Sequence, residues 1–212
     1  MSAFPLRHPN AALTTGRRPA TDPLAVTADH LASEAALEIM AAGGSAVDGA
    51  IAANAVLGMV APDTCGIGGD LFAIVHEPGH TVPTALNASG RAGSGATAAA
   101  LRSEGFTAMP LRHPATVTVP GCIDGWEALQ ARYGRLPLSQ LLESAIRLGE
   151  EGFAVSPELA DSLERIHPLI GGQGSAGPLY PNTSPPAAGD ILRRPRLGST
   201  LRAIADGGRP AV

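Results

Sequence analysis

The segment Asn87-Ala88-Ser89-Gly90-Arg91 carries the side chain that is best suited to bind a ligand in this sequence. Arg91 follows a predicted strand and stands among small residues, which leave its guanidinium accessible. A planar guanidinium on a rigid strand end is suited to bidentate capture of a carboxylate. The residues alone leave one alternative, a surface arginine that pairs with an acidic side chain.

The segment His76-Glu77-Pro78-Gly79-His80 matches the HExxH pattern of zinc enzymes. That chemistry requires both histidines on one face of a helix, at positions i and i+4. Pro78-Gly79 lies between them and favours a hairpin turn over a helix. We therefore predict a hairpin here and no metal site.

The glycine run Gly66-Ile67-Gly68-Gly69 has the composition of a phosphate-binding loop. It follows a predicted helix and precedes a predicted strand, which is the reverse of the nucleotide-binding order, and no Lys-Ser/Thr pair follows it. We expect a structural role instead, in which glycines let the backbone turn sharply and approach its neighbours closely. No cofactor is predicted.

Candidate nucleophiles are few. The hydroxyls of Thr14, Thr15 and Ser89 have no paired base nearby in sequence, and no G-x-S-x-G elbow occurs. The six histidines give no triad that spacing identifies. Two cysteines, Cys65 and Cys122, are too few for a disulfide framework or a structural zinc site. No catalytic residue is therefore assigned within this chain.

The composition excludes several classes of partner. The formal net charge of −4 argues against a nucleic-acid or an anionic membrane surface. Aromatic residues are only 3% of the 212 residues, so no aromatic groove for a base or a sugar is expected. The N-terminus shows no apolar run of signal-peptide length, which predicts a cytoplasmic protein.

The elements that position these groups are mostly helices. Ser45 and Asp48 fit a capping box, and the run from Ala46 to Met59 is apolar on all sides, which predicts a buried central helix. Further helices are predicted between Asp29 and Gly43, over 96–103, 123–133, 138–148 and 195–205, and from Pro157 onward. Strands are predicted at 25–28, 71–76, 81–87 and 116–119, and residues 171–190 are predicted to be an exposed loop.

The predicted fold is α+β and rich in helix, with a sheet that has too few strands to be complete. Residues 1–24 are predicted to be an irregular arm, and residues 25–212 to form the domain.

Several stretches, taken together and in order, resemble the N-terminal part of the γ-glutamyltransferases (γ-glutamyltranspeptidases, glutathione hydrolases). They cover nearly all of residues 25–208. The stretches are HLASEAALEIMAAGGSAVDGAIAANAVLG, APDTCGIGGDLF, SGRAGSGAT, VPGCIDGWEALQARYGRLPLSQLLESAIRLGEEGFAVS and GDILRRPRLGSTLRAIADGG. The resemblance implies a four-layer αββα fold of the N-terminal-nucleophile (Ntn) hydrolases, here as the large-subunit portion of a precursor.

In that family the precursor cuts itself, and the freed N-terminal threonine of the second subunit attacks the γ-glutamyl amide. The resemblance implies that this threonine lies beyond Val212, that the C-terminal portion of the same precursor is the partner, and that the chain alone is inactive. It also places on Arg91 the family's arginine for the donor's α-carboxylate, which makes a small γ-glutamyl compound the expected substrate.

Two positions depart from the family pattern: Ala92 stands where an acid usually follows the arginine, and Asp70 where many members have glycine. Both resemble a bacterial γ-glutamyltransferase-like branch. Two alternatives stay open, a non-catalytic remnant that serves as a scaffold, and an amide acylase of the same fold that acts on glutaryl or β-lactam side chains.

Overall fold

A computed structural model describes residues 22–211, and two packed helices form its centre. These are α1, His30–Ala41, and α2, Ala46–Val60. Most of the predicted arm over residues 1–24, together with Thr14 and Thr15, lies outside the described residues.

Helix α2 is the buried helix that the sequence predicts. Ten of its fifteen residues are buried, because small and apolar side chains occupy every face. The predicted capping box is confirmed: the Ser45 hydroxyl accepts a hydrogen bond from the Asp48 amide (3.1 Å), and the Asp48 carboxylate accepts one from the Ser45 amide (2.7 Å). These bonds satisfy amide groups that a helix start otherwise leaves unpaired.

After α2 the chain forms an antiparallel hairpin of β1, Leu71–Val75, and β2, Thr84–Ala88. The predicted Pro-Gly turn is confirmed, with Gly79 at φ +85°. Alternate residues of both strands face inward, as a half-buried sheet requires. Phe72 and Ile74 point outward and are 64% and 78% exposed, so the outer face of the hairpin is apolar and uncovered by the described residues.

The remaining elements are mainly helices. They are α3, Ala98–Ser103; α4, Cys122–Tyr133; α5, Leu138–Leu141; α6, Glu143–Glu151; α7, Pro157–Ile170; α8, Pro195–Gly207; and a two-residue strand pair of β3, Phe153–Ala154, with β4, Ile191–Leu192. Helix α4 packs on the hairpin and on α2, while α8 packs on α5 and α6. A helix-rich α+β fold with incomplete sheets is confirmed.

Two of the predicted strands do not form. Residues 25–28 belong to no strand, because no neighbouring strand among residues 22–211 supplies the ladder partners that an extended segment needs. Residues 116–119 contribute only a single bridge, between Thr118 and Ala92, and a 3₁₀ turn over Pro114–Thr116 occupies their start. The strand predicted at 81–87 forms, but it begins at Thr84.

Two other segments differ from their predictions. The helix predicted over 138–148 is interrupted at Leu142, which lets the consecutive residues Leu141 and Leu142 both be buried. The loop predicted over 171–190 to be exposed contains 3₁₀ turns and buries Tyr180, whose hydroxyl donates a hydrogen bond to the Leu163 carbonyl (3.0 Å). Among the described helices, none has both the length and the apolar character to cross a membrane.

Candidate functional site

Arg91 is held at the end of β2 by a backbone crossing. Its carbonyl accepts a hydrogen bond from the Val119 amide (2.8 Å), and the next residue, Ala92, bridges to Thr118. The segment that carries Arg91 is therefore paired, at Arg91 and at Ala92, with the segment that leads into α4.

Two glycines make this crossing possible. A Cβ atom on Gly90 would overlap the Val119 carbonyl oxygen, and one on Gly121 would overlap the Ala88 carbonyl oxygen. Gly90 also has φ +71°, which side chains other than glycine rarely adopt. The backbone at Arg91 is consequently fixed by contacts that only glycine permits.

A cavity of about 600 Å³ opens beside this crossing. Ten residues line it: Asn87, Ala88, Ser89, Gly90, Arg91, Val119, Pro120, Gly121, Asp124 and Arg209. The Arg91 side chain is exposed, and it makes no hydrogen bond or ion pair with any residue of the described range. Arg91 is therefore not paired with an acidic side chain among the described residues, which was the alternative left by the sequence. Its guanidinium is available to an anionic ligand.

The second charged group of the cavity is an ion pair. The Arg209 guanidinium donates to Asp124 Oδ1 (2.7 Å), and the Arg209 amide donates to Glu127 Oε1 (2.5 Å). Both acids lie on α4, one turn apart, so the helix holds Arg209 at two points. The second oxygen of the Asp124 carboxylate accepts no hydrogen bond from the described residues.

The glycine loop supports the site from behind. The Gly69 carbonyl accepts hydrogen bonds from the amides of Gly121 (2.9 Å) and Cys122 (3.1 Å), at the start of α4. The predicted structural role is consistent with these bonds. The predicted reason for that role was a sharp turn and a close approach of the backbone at the glycines. It is wrong for the described residues, because Gly66, Gly68 and Gly69 have no positive φ and a Cβ on any of them would meet no atom within 4 Å.

The Asn54 side chain connects α2 to the two segments that support the site, which are the glycine loop and α4. Its side-chain oxygen accepts a hydrogen bond from the Trp126 indole (2.9 Å) and a weak one from the Cys122 thiol (3.6 Å). Its amide nitrogen donates to the Cys65 sulfur (3.2 Å). One side chain thus joins the central helix to the glycine loop and to α4.

The two thiols around Asn54 are poorly suited to nucleophilic chemistry. Burial raises the pKa of Cys122 to about 12, with smaller contributions from Cys65 and from the Asp70 carboxylate. Burial also raises the pKa of Cys65, against the opposing effect of the hydrogen bond from Asn54. Because the thiolate is the reactive species, both side chains act as structural groups at neutral pH.

His76, His80 and Ser89 have no catalytic or metal-binding partner within residues 22–211. His76 and His80 lie in the hairpin connection, where the His80 amide donates to the Glu77 carbonyl (3.1 Å), and they are not on a helix. Within residues 22–211 no group of three histidine, cysteine or carboxylate side chains could hold a metal. Ser89 lines the cavity, but no base hydrogen-bonds to its hydroxyl in the described part of the chain.

Asp124, Arg209 and Asn54 were missed by sequence reasoning. Asp124 and Arg209 are 85 residues apart, and Asn54 and Trp126 are 72 apart, so no local spacing could connect them. Asn54 is the one polar side chain of α2 beyond the capping residue Asp48, and it was the one available signal, because a buried amide requires partners.

Comparison with known proteins gives a consistent result. The family model described as Gamma-glutamyltranspeptidase matches residues 32–212. The glutathione hydrolase-like YwrD proenzyme of Bacillus subtilis is 33% identical over 193 residues, which is 90% of this chain and 36% of the relative. The oxamate amidohydrolase proenzyme of Klebsiella pneumoniae is 37% identical over 195 residues, 89% of this chain and 36% of the relative.

Solved structures share the fold. The gamma-glutamyltranspeptidase of Helicobacter pylori superposes with a TM-score of 0.84 at 28% identity, covering 92% of this chain and 57% of that chain. The cephalosporin acylase of Bacillus halodurans superposes with a TM-score of 0.78 at 36% identity, covering 83% of this chain and 34% of that chain. The chain thus spans about a third of the length of the curated relatives it matches.

Proposed function

The chain belongs to the gamma-glutamyltranspeptidase family, and we propose that it supplies the carboxylate-binding part of an enzyme that transfers or hydrolyses γ-glutamyl groups. The observation that carries this proposal is the guanidinium of Arg91, which pairs with no residue in 22–211 and lines the 600 Å³ cavity on a backbone fixed by Val119 and Gly121. The α-carboxylate of a γ-glutamyl donor binds to Arg91, which holds the donor's head group while its amide is cleaved.

Arg91 is suited to this role for physical reasons. A guanidinium stays protonated at every working pH and offers two parallel N–H groups to one carboxylate. Because its backbone is fixed, only the side chain of Arg91 loses conformational entropy when the ligand binds. A lysine at the same position offers a point charge without the planar fork, so it would bind the carboxylate less selectively.

We further propose that another segment of the same precursor completes the sheet. The curated relatives are named proenzymes and are about three times as long as this chain. The outer face of the hairpin leaves Phe72 and Ile74 exposed, and monomeric proteins rarely leave contiguous apolar patches uncovered.

Residues 24–27, which belong to no helix or strand, support the same proposal. Leu24 and Val26 are 77% and 85% exposed, while Ala25 packs on the core, so the outer face of this segment is apolar and uncovered by the described residues. Its backbone makes no backbone hydrogen bond with the described residues. A strand from the completing segment can pair here, and that segment also brings the N-terminal threonine nucleophile. The present chain alone is then inactive.

A second candidate function is amide acylase activity on donors without an α-amino group. The observation in its favour is the cephalosporin acylase of Bacillus halodurans, whose 36% identity exceeds the 28% of the Helicobacter pylori gamma-glutamyltranspeptidase. In both candidate functions Arg91 binds a carboxylate of the donor. The donors differ in whether an α-amino group stands beside that carboxylate.

The deciding experiment uses the full-length protein that contains this chain, assayed with γ-glutamyl-p-nitroanilide and glutaryl-p-nitroanilide. We expect faster turnover of the γ-glutamyl donor, and a rise of at least about tenfold in its KM in Arg91→Ala. Arg112→Ala is the matched control, because Arg112 is an exposed arginine outside the cavity. Preference for the glutaryl donor would favour the acylase, and turnover of neither would favour a non-catalytic remnant.

A further inference from the structure

The wall of the cavity beside Arg91 is apolar. Val119 and Pro120 line the cavity, and the Val119 side chain is 57% exposed. Val117, two residues earlier, is 66% exposed and lies outside the ten residues that line the cavity. Exposed apolar side chains that adjoin one another can mark a ligand-binding groove or a protein interface. The proposed function assigns a ligand to Arg91 and leaves the two valines without a role.

The two valines and Arg91 share one face of a short antiparallel pairing. Ala92 is opposite Thr118 in the bridge, and the Arg91 carbonyl accepts a hydrogen bond from the Val119 amide (2.8 Å). Arg91 is therefore opposite Val119. Opposed side chains of an antiparallel pair lie on the same face, with Cβ atoms about 5 Å apart. Val117 lies on that face too, because side chains alternate along an extended segment.

Val117 and Val119 together form the valine strip, which is open where Val117 lies. The backbone of Val117 is extended, with φ −83° and ψ 118°. By the register of the bridge Val117 is opposite Gly93, which has no side chain, and a Cβ atom on Gly93 would meet no atom within 4 Å. The valine strip therefore begins at the cavity wall and continues past the rim of the cavity.

The geometry points to the valine strip as the surface that binds the amide substituent of the donor, which is the amine released on cleavage. This inference rests on the proposed function and deepens it, because the γ-glutamyl group alone leaves the leaving amine open. The substrate class that fits is a γ-glutamyl amide whose leaving amine carries an apolar side chain. Val117 and Val119 are thus specificity-determining residues.

The extent of the site favours the leaving amine over the head group as the occupant of the valine strip. A cavity of about 600 Å³ lies within the range of pockets that bury drug-sized ligands, so it has room for more than an amino-acid head group. The head group is anchored inside the cavity by Arg91. A group that reaches past the rim to Val117 must therefore belong to the other end of the donor. Valine side chains offer no hydrogen-bonding group, so they select amines by the apolar area that contact buries.

Hydrolysis of γ-glutamyl-leucine and γ-glutamyl-glycine by the full-length protein tests the inference. Both donors have the same head group and release an α-amino acid, and they differ in one isobutyl side chain. We expect kcat/KM to be at least about fivefold higher for γ-glutamyl-leucine. A ratio of kcat/KM near one in the unaltered protein would overturn the inference.

Substitutions in the valine strip test which residues set this ratio. Val117→Thr and Val119→Thr keep the β-branched shape that suits an extended backbone and replace one methyl group by a hydroxyl. Each should lower the ratio by about twofold, by slowing γ-glutamyl-leucine alone, and the double variant should bring the ratio close to one. An unchanged ratio in the double variant would overturn the inference. Equal losses on both donors would assign the valine strip to contact with the completing segment, and would overturn it as well.

Val82→Thr is the matched control. Val82 is an exposed valine in the hairpin connection and does not line the cavity. The same substitution there should leave the ratio of the two kcat/KM values unchanged. A fall as large as that in Val119→Thr would show a general effect of lost apolar surface and overturn the assignment to the valine strip.

The outcomes separate this inference from the proposed function. Turnover of both donors with equal kcat/KM supports the proposed function and overturns the inference alone. If the unaltered protein turns over no γ-glutamyl donor, including γ-glutamyl-p-nitroanilide, both are overturned, because the valine strip then has no γ-glutamyl amide to select.

Discussion

The side-chain oxygen of Asn54 lies 2.9 Å from the indole nitrogen of Trp126, which donates a hydrogen bond to it. Trp126 is among the largest fully buried side chains of the chain. The bond ties the central helix to α4, whose first turn carries Asp124 and whose leading segment fixes Arg91. Asn54 is therefore a positioning residue, one that acts on the cavity through other groups.

We expect Asn54→Ala to lower the free energy of unfolding by about 2 kcal/mol, because the buried Trp126 N–H loses its acceptor. Urea denaturation followed by circular dichroism measures the loss, because the cycle below removes Trp126, the single tryptophan of the chain. A double-mutant cycle with Trp126→Phe should give a coupling energy of about 1 kcal/mol. Strict additivity of the two changes would show that the bond contributes nothing.

A second prediction concerns Asp48, which is fully buried and accepts hydrogen bonds from one local and one distant backbone amide. Its Oδ2 accepts from Ser45 N (2.7 Å) and from Arg135 N (2.8 Å), so it caps α2 and also holds the turn after α4. We expect Asp48→Ala to cost about 3 kcal/mol of unfolding free energy.

Asp29 provides the matched control for Asp48. It caps α1 through one bond from the Leu31 amide (2.8 Å). Asp29→Ala should therefore cost only about 1 kcal/mol in the same urea titration. Equal losses for the two variants would mean that the bond from Arg135 adds no stability.

A third prediction follows from the raised pKa of Cys122. Its folded-state pKa is about 12, whereas an unfolded cysteine has its ordinary pKa near 8.5. Between these values the unfolded state loses the proton and the folded state keeps it, so stability is fully present below about pH 8.5. It then falls as pH rises, by up to about 1.4 kcal/mol per pH unit.

Denaturation midpoints of the protein and of Cys122→Ala, measured from pH 8 to pH 11, test this dependence. The sequence contains no lysine, so few other groups titrate in this range. We expect the two stability curves to converge as the pH rises, because only the unaltered protein loses the contribution of Cys122. Parallel curves would contradict a buried, neutral thiol.

Local signals made α2 and the hairpin predictable. The capping box of Ser45 and Asp48 and the Pro-Gly turn act within a few residues, so the sequence pattern determines them directly. The same holds for Arg91, whose exposure follows from the small residues around it.

Long-range contacts were not predictable in this way. Residues 25–28 have strand-like composition, but a strand also needs a neighbour, and none among the described residues pairs with them. Asp124 joins the cavity through a partner 85 residues away. Composition alone also identified the wrong glycines as closely packed, because tight approach depends on which backbone lies opposite.

A last prediction compares Gly121, at the backbone crossing, with Gly68, in the glycine loop. Gly121→Ala places a methyl group against the Ala88 carbonyl, where only a backbone shift can make room, so we expect a loss of about 3 kcal/mol in unfolding free energy. The same shift displaces Arg91 and should raise KM for a carboxylate-bearing donor. Gly68→Ala meets no atom of the described residues within 4 Å and should change stability by less than about 0.5 kcal/mol. Because the two substitutions add the same atom, a similar urea midpoint for both variants would contradict the close crossing that fixes Arg91.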